Sequence, residues 1–287
     1  MSDQWEKVIA RLDRFLTKAE ALLDQYRASE PLDEALFASC HAFRWQGRGE
    51  AGRLVPVRHP HQVELDDLVG VDMAKAELVR NTAQFAAGRS ANNVLLWGER
   101  GTGKSSCVKG ILTRFAGQGL RLIEVERGEL LSLPRISDLI RGVPYRFIVF
   151  CDDLSFAAGD ASYQELKTLL DGGIEARPGN MLIYATSNRR HLMPEPMSDN
   201  LREEIHPEDA VADKLSLADR FGLTLSFYPF SQETYLAVVE HHADRLGLAV
   251  NRDDLRREAL QWALYKGQRS GRTARQFIDD LAGRLDP

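Results

Sequence analysis

One eight-residue string limits what this chain can fold into more than any other: Gly98-Glu99-Arg100-Gly101-Thr102-Gly103-Lys104-Ser105. It follows the apolar run Val94-Leu95-Leu96-Trp97 and opens a helical pattern over 106–115. Glycines at those spacings let the backbone turn so that successive N–H groups point inward, which makes a concave anion cradle. The helix start adds unpaired N–H donors and the positive end of a dipole. Lys104 supplies a mobile cation for the outer oxygens of a polyphosphate, and Ser105 supplies a hydroxyl ligand for Mg2+. The candidate contacts run from Gly98 through Glu99, Arg100, Gly101, Thr102, Gly103, Lys104 and Ser105 to Ser106. A strand, this loop and a helix in that order call for an α/β fold.

Further apolar runs lie at 120–125, at Phe147-Ile148-Val149-Phe150-Cys151, at Met181-Leu182-Ile183-Tyr184-Ala185-Thr186 and at 223–227, with helical stretches between most of them. Near-continuous apolar strands alternating with helices predict a five-stranded parallel sheet covered on both faces. The third run ends in Asp152-Asp153. A carboxylate at the tip of a strand beside the phosphate loop can hold Mg2+, the role assigned to Asp152. Asp153 then orients or deprotonates the attacking water. Otherwise the two acids merely end a strand or cap a helix.

The flanks read differently. Trp5, Val8, Ile9, Leu12, Phe15, Leu16, Ala19, Leu22, Leu23 and Tyr26 recur at helical spacing, and a second helical stretch follows at 32–43. The first helix either packs on its own domain or docks and self-associates. Gly47, Gly49, Gly52, Pro56 and Pro60 then read as a linker, which sets a helical N-terminal region at 1–62 and an α/β core at 63–228. After Pro229 the pattern is wholly helical, with Ser231 as an N-cap and Gly247 as a stop, which predicts a small helical lid over 229–287.

Composition narrows the function classes. With 44% hydrophobic and 28% charged residues the chain has the makings of an ordinary globular core. Lys+Arg is 37 against 42 Asp+Glu, a net charge of −5, which gives no support to general nucleic-acid binding. The charge is uneven. Residues 195–219 hold eight acids against Arg202 and Lys214, or −6, and residues 252–275 hold seven bases against three acids, or +4. Each run is either a solvated face or half of a subunit contact. The polar stretch between Asn188 and Arg220 is long for a loop and is a candidate partner-contacting insertion or a disordered loop. No stretch approaches a membrane span and no secretory leader is visible. Cys40, Cys107 and Cys151 are far apart, Cys107 and Cys151 reading as buried apolar residues, and no histidine stands in an HxxxH or HExxH arrangement. The expectation is a soluble protein of a reducing cytoplasm, with neither a disulfide framework nor a zinc site.

Taken together, the strings at 98–105 and 147–153 resemble the Walker A and Walker B elements of AAA+ ATPases. Asp66-Asp67-Leu68-Val69-Gly70 resembles the AAA+ segment that packs near adenine, Asn188 the sensor-1 residue that helps place the lytic water, Asp219-Arg220-Phe221-Gly222 the arginine-finger segment, and Gly271-Arg272 sensor 2, with Arg275 competing. The resemblance covers 63–287. It implies a three-layer sandwich with strand order 5-1-4-3-2 and ATP·Mg2+ between core and lid. It also implies a head-to-tail oligomer in which Arg220 completes a neighbour's site. Read from the residues alone, Asn188 caps a turn or acts on water, Arg220 pairs with an acid of 195–219 or serves as the finger, and Arg272 is a solvated lid residue or a phosphate ligand. More closely, Asn92-Asn93-Val94-Leu95-Leu96-Trp97-Gly98, Asp152-Asp153-Leu154-Ser155-Phe156 and the segment from Arg220-Phe221-Gly222 to Phe230 resemble a bacterial ATP-binding family known as domain of unknown function 815. The Asp-Asp-Leu-Ser-Phe string also resembles the Walker B of replication initiators and helicase loaders. Most AAA+ proteins have Glu where this chain has Asp153, one methylene shorter, so water geometry differs and turnover is expected to be slow. The expected function is an ATPase that drives conformational change in a macromolecular partner. The alternatives are a nucleotide-gated assembly module and a helicase-loader-like ATPase on DNA.

Overall fold

The computed structural model describes residues 11–12, 14–18, 34–47, 52–156, 160–172, 176–190, 192 and 217–285. Among the described residues seven strands build one sheet: β1 (Ala42–Gln46), β2 (Arg53–Val57), β3 (Val94–Gly98), β4 (Leu120–Glu124), β5 (Arg146–Cys151), β6 (Met181–Ser187) and β7 (Leu223–Phe227). Their order is β2-β1-β4-β5-β6-β3-β7. All neighbours are parallel except β1 and β2. The five apolar runs of the sequence are β3 to β7, and counted among themselves they lie in the expected order 5-1-4-3-2. All seven residues of β6 are buried, as a central strand covered on both faces requires.

The sheet has two strands more than the sequence suggested. Residues 32–43 read as a helix and 47–60 as a linker. Among the described residues of that stretch the helix α1 ends at Ser39 (Glu34–Ser39), and β1 and β2 form an antiparallel hairpin whose first strand runs parallel to β4. The physical reason is alternation: Phe43 and Trp45 are buried while Arg44 and Gln46 face water. Gly52 is a packing residue, since a Cβ there would come within 2.0 Å of the Trp45 ring. Pro56 is tolerated because β2 is an edge strand.

Helices cover both faces. They are α2 (Asp72–Ala86), α3 (Lys104–Phe115), α4 (Leu133–Ile140) and α5 (Ala161–Asp171), followed by α6 (Gln232–Arg245), α7 (Arg252–Lys266) and α8 (Gly271–Leu285). One apolar layer joins α2, α3 and the last three helices to the sheet through residues such as Ile111, Tyr235 and Phe277. The other packs α1, α4 and α5 against the opposite face through Phe37, Ile136 and Leu166. Ser231 caps α6 by accepting from Thr234 N at 3.0 Å. The basic run of the lid is largely neutralised within it: Arg252 pairs with Asp244, Arg256 with Glu240, Arg257 with Asp254 and Arg275 with Asp279. Burial pushes the Cys107 and Cys151 thiols up to about 12, as suits inert core residues. Among the described residues no helix is long and apolar enough to cross a membrane. Most of the N-terminal stripe and nearly all of the acidic run at 195–219 lie outside the described residues.

Candidate nucleotide site

The phosphate loop is stitched to the sheet before it is stitched to anything else. Gly98 ends β3 with φ +136°, and a Cβ there would sit 1.9 Å from Phe227 O. Only glycine fits that conformation and that approach. The gain is a hydrogen bond from Glu99 N to Phe227 O of 2.9 Å that anchors the loop to β7. Its other side meets the lid. A Cβ on Gly101 would lie 2.8 Å from Ser270 Oγ, and Arg272 N donates to Gly101 O at 3.2 Å. The loop is thus clamped between β7 and the start of α8.

A cavity of about 1100 Å3 opens over the loop, bounded by residues 61–71 and the lid. Into it face Lys104, Ser105, Asp152, Asp153, Asn188 and Arg272. Lys104 is only 7% exposed; its Nζ donates to Gly98 O (2.8 Å), Glu99 O (2.7 Å) and Asn188 Oδ1 (3.3 Å). Burial pulls its pKa below the ordinary lysine value, while Asp153, Glu99 and Asp152 oppose that shift. Ser105 Oγ donates to Asp152 Oδ1 at 2.7 Å, which joins the two expected Mg2+ ligands. Asn188 Nδ2 donates to Asp153 Oδ1. Asp153 itself has φ +51°, a left-handed backbone uncommon outside glycine and tolerated by Asp.

One residue of this constellation escaped the sequence reading. Thr186, 2% exposed, sits in β6 with its hydroxyl between the two acids. Its Oγ1 donates to Asp152 Oδ1 and accepts from Asp153 N at 2.8 Å. A single hydroxyl therefore holds the Asp152 carboxylate and the Asp153 backbone amide. Thr186→Val keeps the shape and removes the hydroxyl, leaving Asp153 N without its partner. Thermal or denaturant unfolding should show a loss of about 1–3 kcal/mol. An unchanged midpoint would mean that the hydroxyl holds nothing.

Residues 38–285 match the family model described as Protein of unknown function (DUF815). The chain belongs to this family. This DUF815 chain is also 29% identical over 177 residues to the ATP-dependent zinc metalloprotease FtsH of Burkholderia pseudomallei (strain 1710b), a stretch that is 52% of this chain and 26% of that relative. It therefore spans about a quarter of the relative's length. Among solved structures it is similar to the Thermotoga maritima RuvB Holliday junction branch migration motor, with a TM-score of 0.47, 14% identity and coverage of 76% and 72% of the two chains. A variant of that motor matches at 13% identity with the same TM-score. The DUF815 chain has a P-loop α/β fold, with the loop between β3 and α3 and the helical segment from α6 to α8 beside it.

The expected residues of the DUF815 chain line the cavity except Gly98, Glu99 and Arg220. Arg100, Thr102 and Ser106 line it. Thr102 Oγ1 donates to Glu99 O at 2.8 Å, tightening the loop. Arg272 and Arg275 both line it, but Arg275 pairs with Asp279 at 3.0 Å, whereas Arg272 has no ion pair among the described residues. The 66–70 segment reaches the cavity through Asp67, Leu68 and Val69. Asp67 also takes His241 (3.2 Å) and Arg245 from α6, which ties this segment to the lid. Arg220 is not among the lining residues; its Nε donates to Asp171 at the end of α5, outside the acidic run at 195–219. Among the described residues no three His, Cys, Asp or Glu side chains gather into a metal cage. A Mg2+ held by Ser105 and Asp152 would have to lean on phosphate oxygens and water, which is how this ion is ordinarily bound beside nucleotides.

Proposed function

We propose that this chain is an ATPase that binds Mg·ATP between core and lid, hydrolyses it in a head-to-tail oligomer, and uses the cycle to change the conformation of a macromolecular partner. One observation carries the reading: a buried Lys104, the linked pair Ser105 and Asp152, and the linked pair Asp153 and Asn188 converge on a single cavity. Backbone N–H groups of 101–105 and Lys104 would hold the phosphates, and Ser105 and Asp152 the metal. When bound, Mg2+ neutralises charge on the phosphate oxygens. Asp153 is the group that would orient or deprotonate water, with Asn188 and Thr186 fixing its direction. Arg272 brings a cation from the lid to the same space. Catalysis of this kind is positioning and charge neutralisation.

A second reading is favoured by the state of Asp153. Its carboxylate is short, held by Asn188 and carried on a left-handed backbone, which suits slow turnover and a role as a nucleotide-gated assembly module. Mass in solution with and without ATP·Mg2+, together with phosphate release, tests both. The ATPase reading expects a rise in mass with ATP and release per chain that climbs with protein concentration. Nucleotide-dependent mass without release at any concentration would leave the module. No response to nucleotide by either measure would sink both.

A further inference from the structure

A second cavity, of about 630 Å3, opens at the other end of the sheet, where β4, β5 and β6 begin. Two turns wall it, one entering β5 at 141–146 and one entering β6 at 176–180. Asn180 fixes the first, its Nδ2 lying 2.8 Å from Ile140 O, 3.0 Å from Val143 O and 3.3 Å from Tyr145 O. The described lining residues include Arg141, Arg146 and Arg177 and neither Asp nor Glu.

The two arginines that matter are short of charge partners. Arg146 donates from Nη1 to Gly179 O at 3.0 Å and stacks over Phe85 at 5.6 Å. Arg177 donates from Nη1 to Asn93 Oδ1, a neutral oxygen already engaged with Ile183 N at 2.9 Å. Among the described residues no carboxylate pairs with either. Burial pulls the pKa of Arg177 down. Arg121 shows what internal satisfaction looks like in this protein. It is 4% exposed, donates to Phe37 O, Ala116 O and Leu120 O, and lies over the Tyr145 ring at 4.3 Å. Among the described residues Arg177 uses one of its five donors. A partly buried guanidinium with no counter-ion is costly, and its fork of N–H groups matches a phosphate or carboxylate in two-point fashion.

We propose that this cavity is a second ligand site, taking the oxyanion of a small molecule, a phosphate or a carboxylate, on Arg146 and Arg177. It stands apart from the nucleotide cavity and does not depend on ATP turnover. Two strands that lead to the nucleotide site begin beside it: β5, which runs into Asp152-Asp153, and β6, which carries Thr186.

The test is calorimetry on the full chain carrying Lys104→Ala, so that the phosphate loop lacks its cation. Inorganic phosphate is titrated in one arm and succinate in another, each against chloride at equal ionic strength. Saturable heat near one site per chain is expected in at least one arm, and the arm that responds names the source. Arg177→Gln and Arg146→Gln in the same background should each weaken binding about 10-fold or more. Glutamine keeps a neutral donor for Asn93 or Gly179, and a melting curve checks that each variant folds. If Arg177→Gln does not fold, Arg146→Gln alone decides. No heat above chloride in either arm, or heat unaltered by the folded variants, overturns the site.

Discussion

The Lys104→Ala chain is expected to bind ATP about 100-fold or more weakly while melting close to wild type. The ammonium has three donors, and they reach Gly98 O, Glu99 O and Asn188 Oδ1. Polyphosphate oxygens are charged and would compete for those donors as stronger acceptors. Two charge-assisted bonds at about 1.5–3 kcal/mol each exceed two decades of affinity at about 1.4 kcal/mol per decade. Stability responds differently because two effects oppose. Removing Lys104 orphans two loop carbonyls, but it also removes a buried cation from the N-terminus of α3, where the dipole disfavours it. The net change should stay within about 2 kcal/mol. The pH dependence has a definite sign. Burial holds the folded-state pKa of Lys104 below 10.5, so the unfolded chain takes the proton more readily. Wild-type stability should therefore gain relative to the variant as pH rises from that lowered value toward 10.5. Calorimetry with ATP·Mg2+ and melts across pH check both halves. Retained affinity in a folded variant would remove Lys104 from the phosphate site.

How much of this could be read beforehand depends on how local each signal is. The phosphate loop carries its chemistry in consecutive residues, so Lys104 and Ser105 were readable without any partner. Asp152 and Asp153 were readable because charge rarely follows so apolar a strand. Strand order came from resemblance, since nothing in the composition of β3 or β7 says that they are neighbours. The hairpin of β1 and β2 was missed because five alternating residues abut a helix, and because Gly52 has a meaning only beside Trp45. Thr186 reads in sequence as a β-branched residue filling a strand. It becomes a polar partner only when folding brings Asp152 and the Asp153 amide across from β5. Arg177 is the same case, for its significance is the absence of an acid among the described residues folded around it. The lid arginines show the converse, since a run of positive charge in sequence is mostly paired once α6, α7 and α8 are packed.

Arg220→Ala is expected to lower ATP turnover by about 10³-fold or more, the scale of an arginine supplied in trans, while leaving ATP affinity nearly unchanged. Arg220 lies in the turn before β7, away from the residues that line the nucleotide cavity of its own chain. Its Nε is held by Asp171 at the end of α5, which fixes the guanidinium in place. A cation so placed can act on a phosphoryl group only if another chain presents one, and head-to-tail packing is the contact that repeats such an arrangement. Mixing gives the decisive measurement. The Arg220→Ala chain keeps its phosphate loop and lacks the finger; the Lys104→Ala chain keeps the finger and lacks the loop. Each alone should be nearly inactive, and together they should recover turnover wherever an intact loop faces an intact Arg220. Recovery that grows as the two are mixed toward equal amounts fits a shared site. Full turnover by Arg220→Ala alone, or assembled mixtures with no recovery, would assign Arg220 to the fold of its own chain.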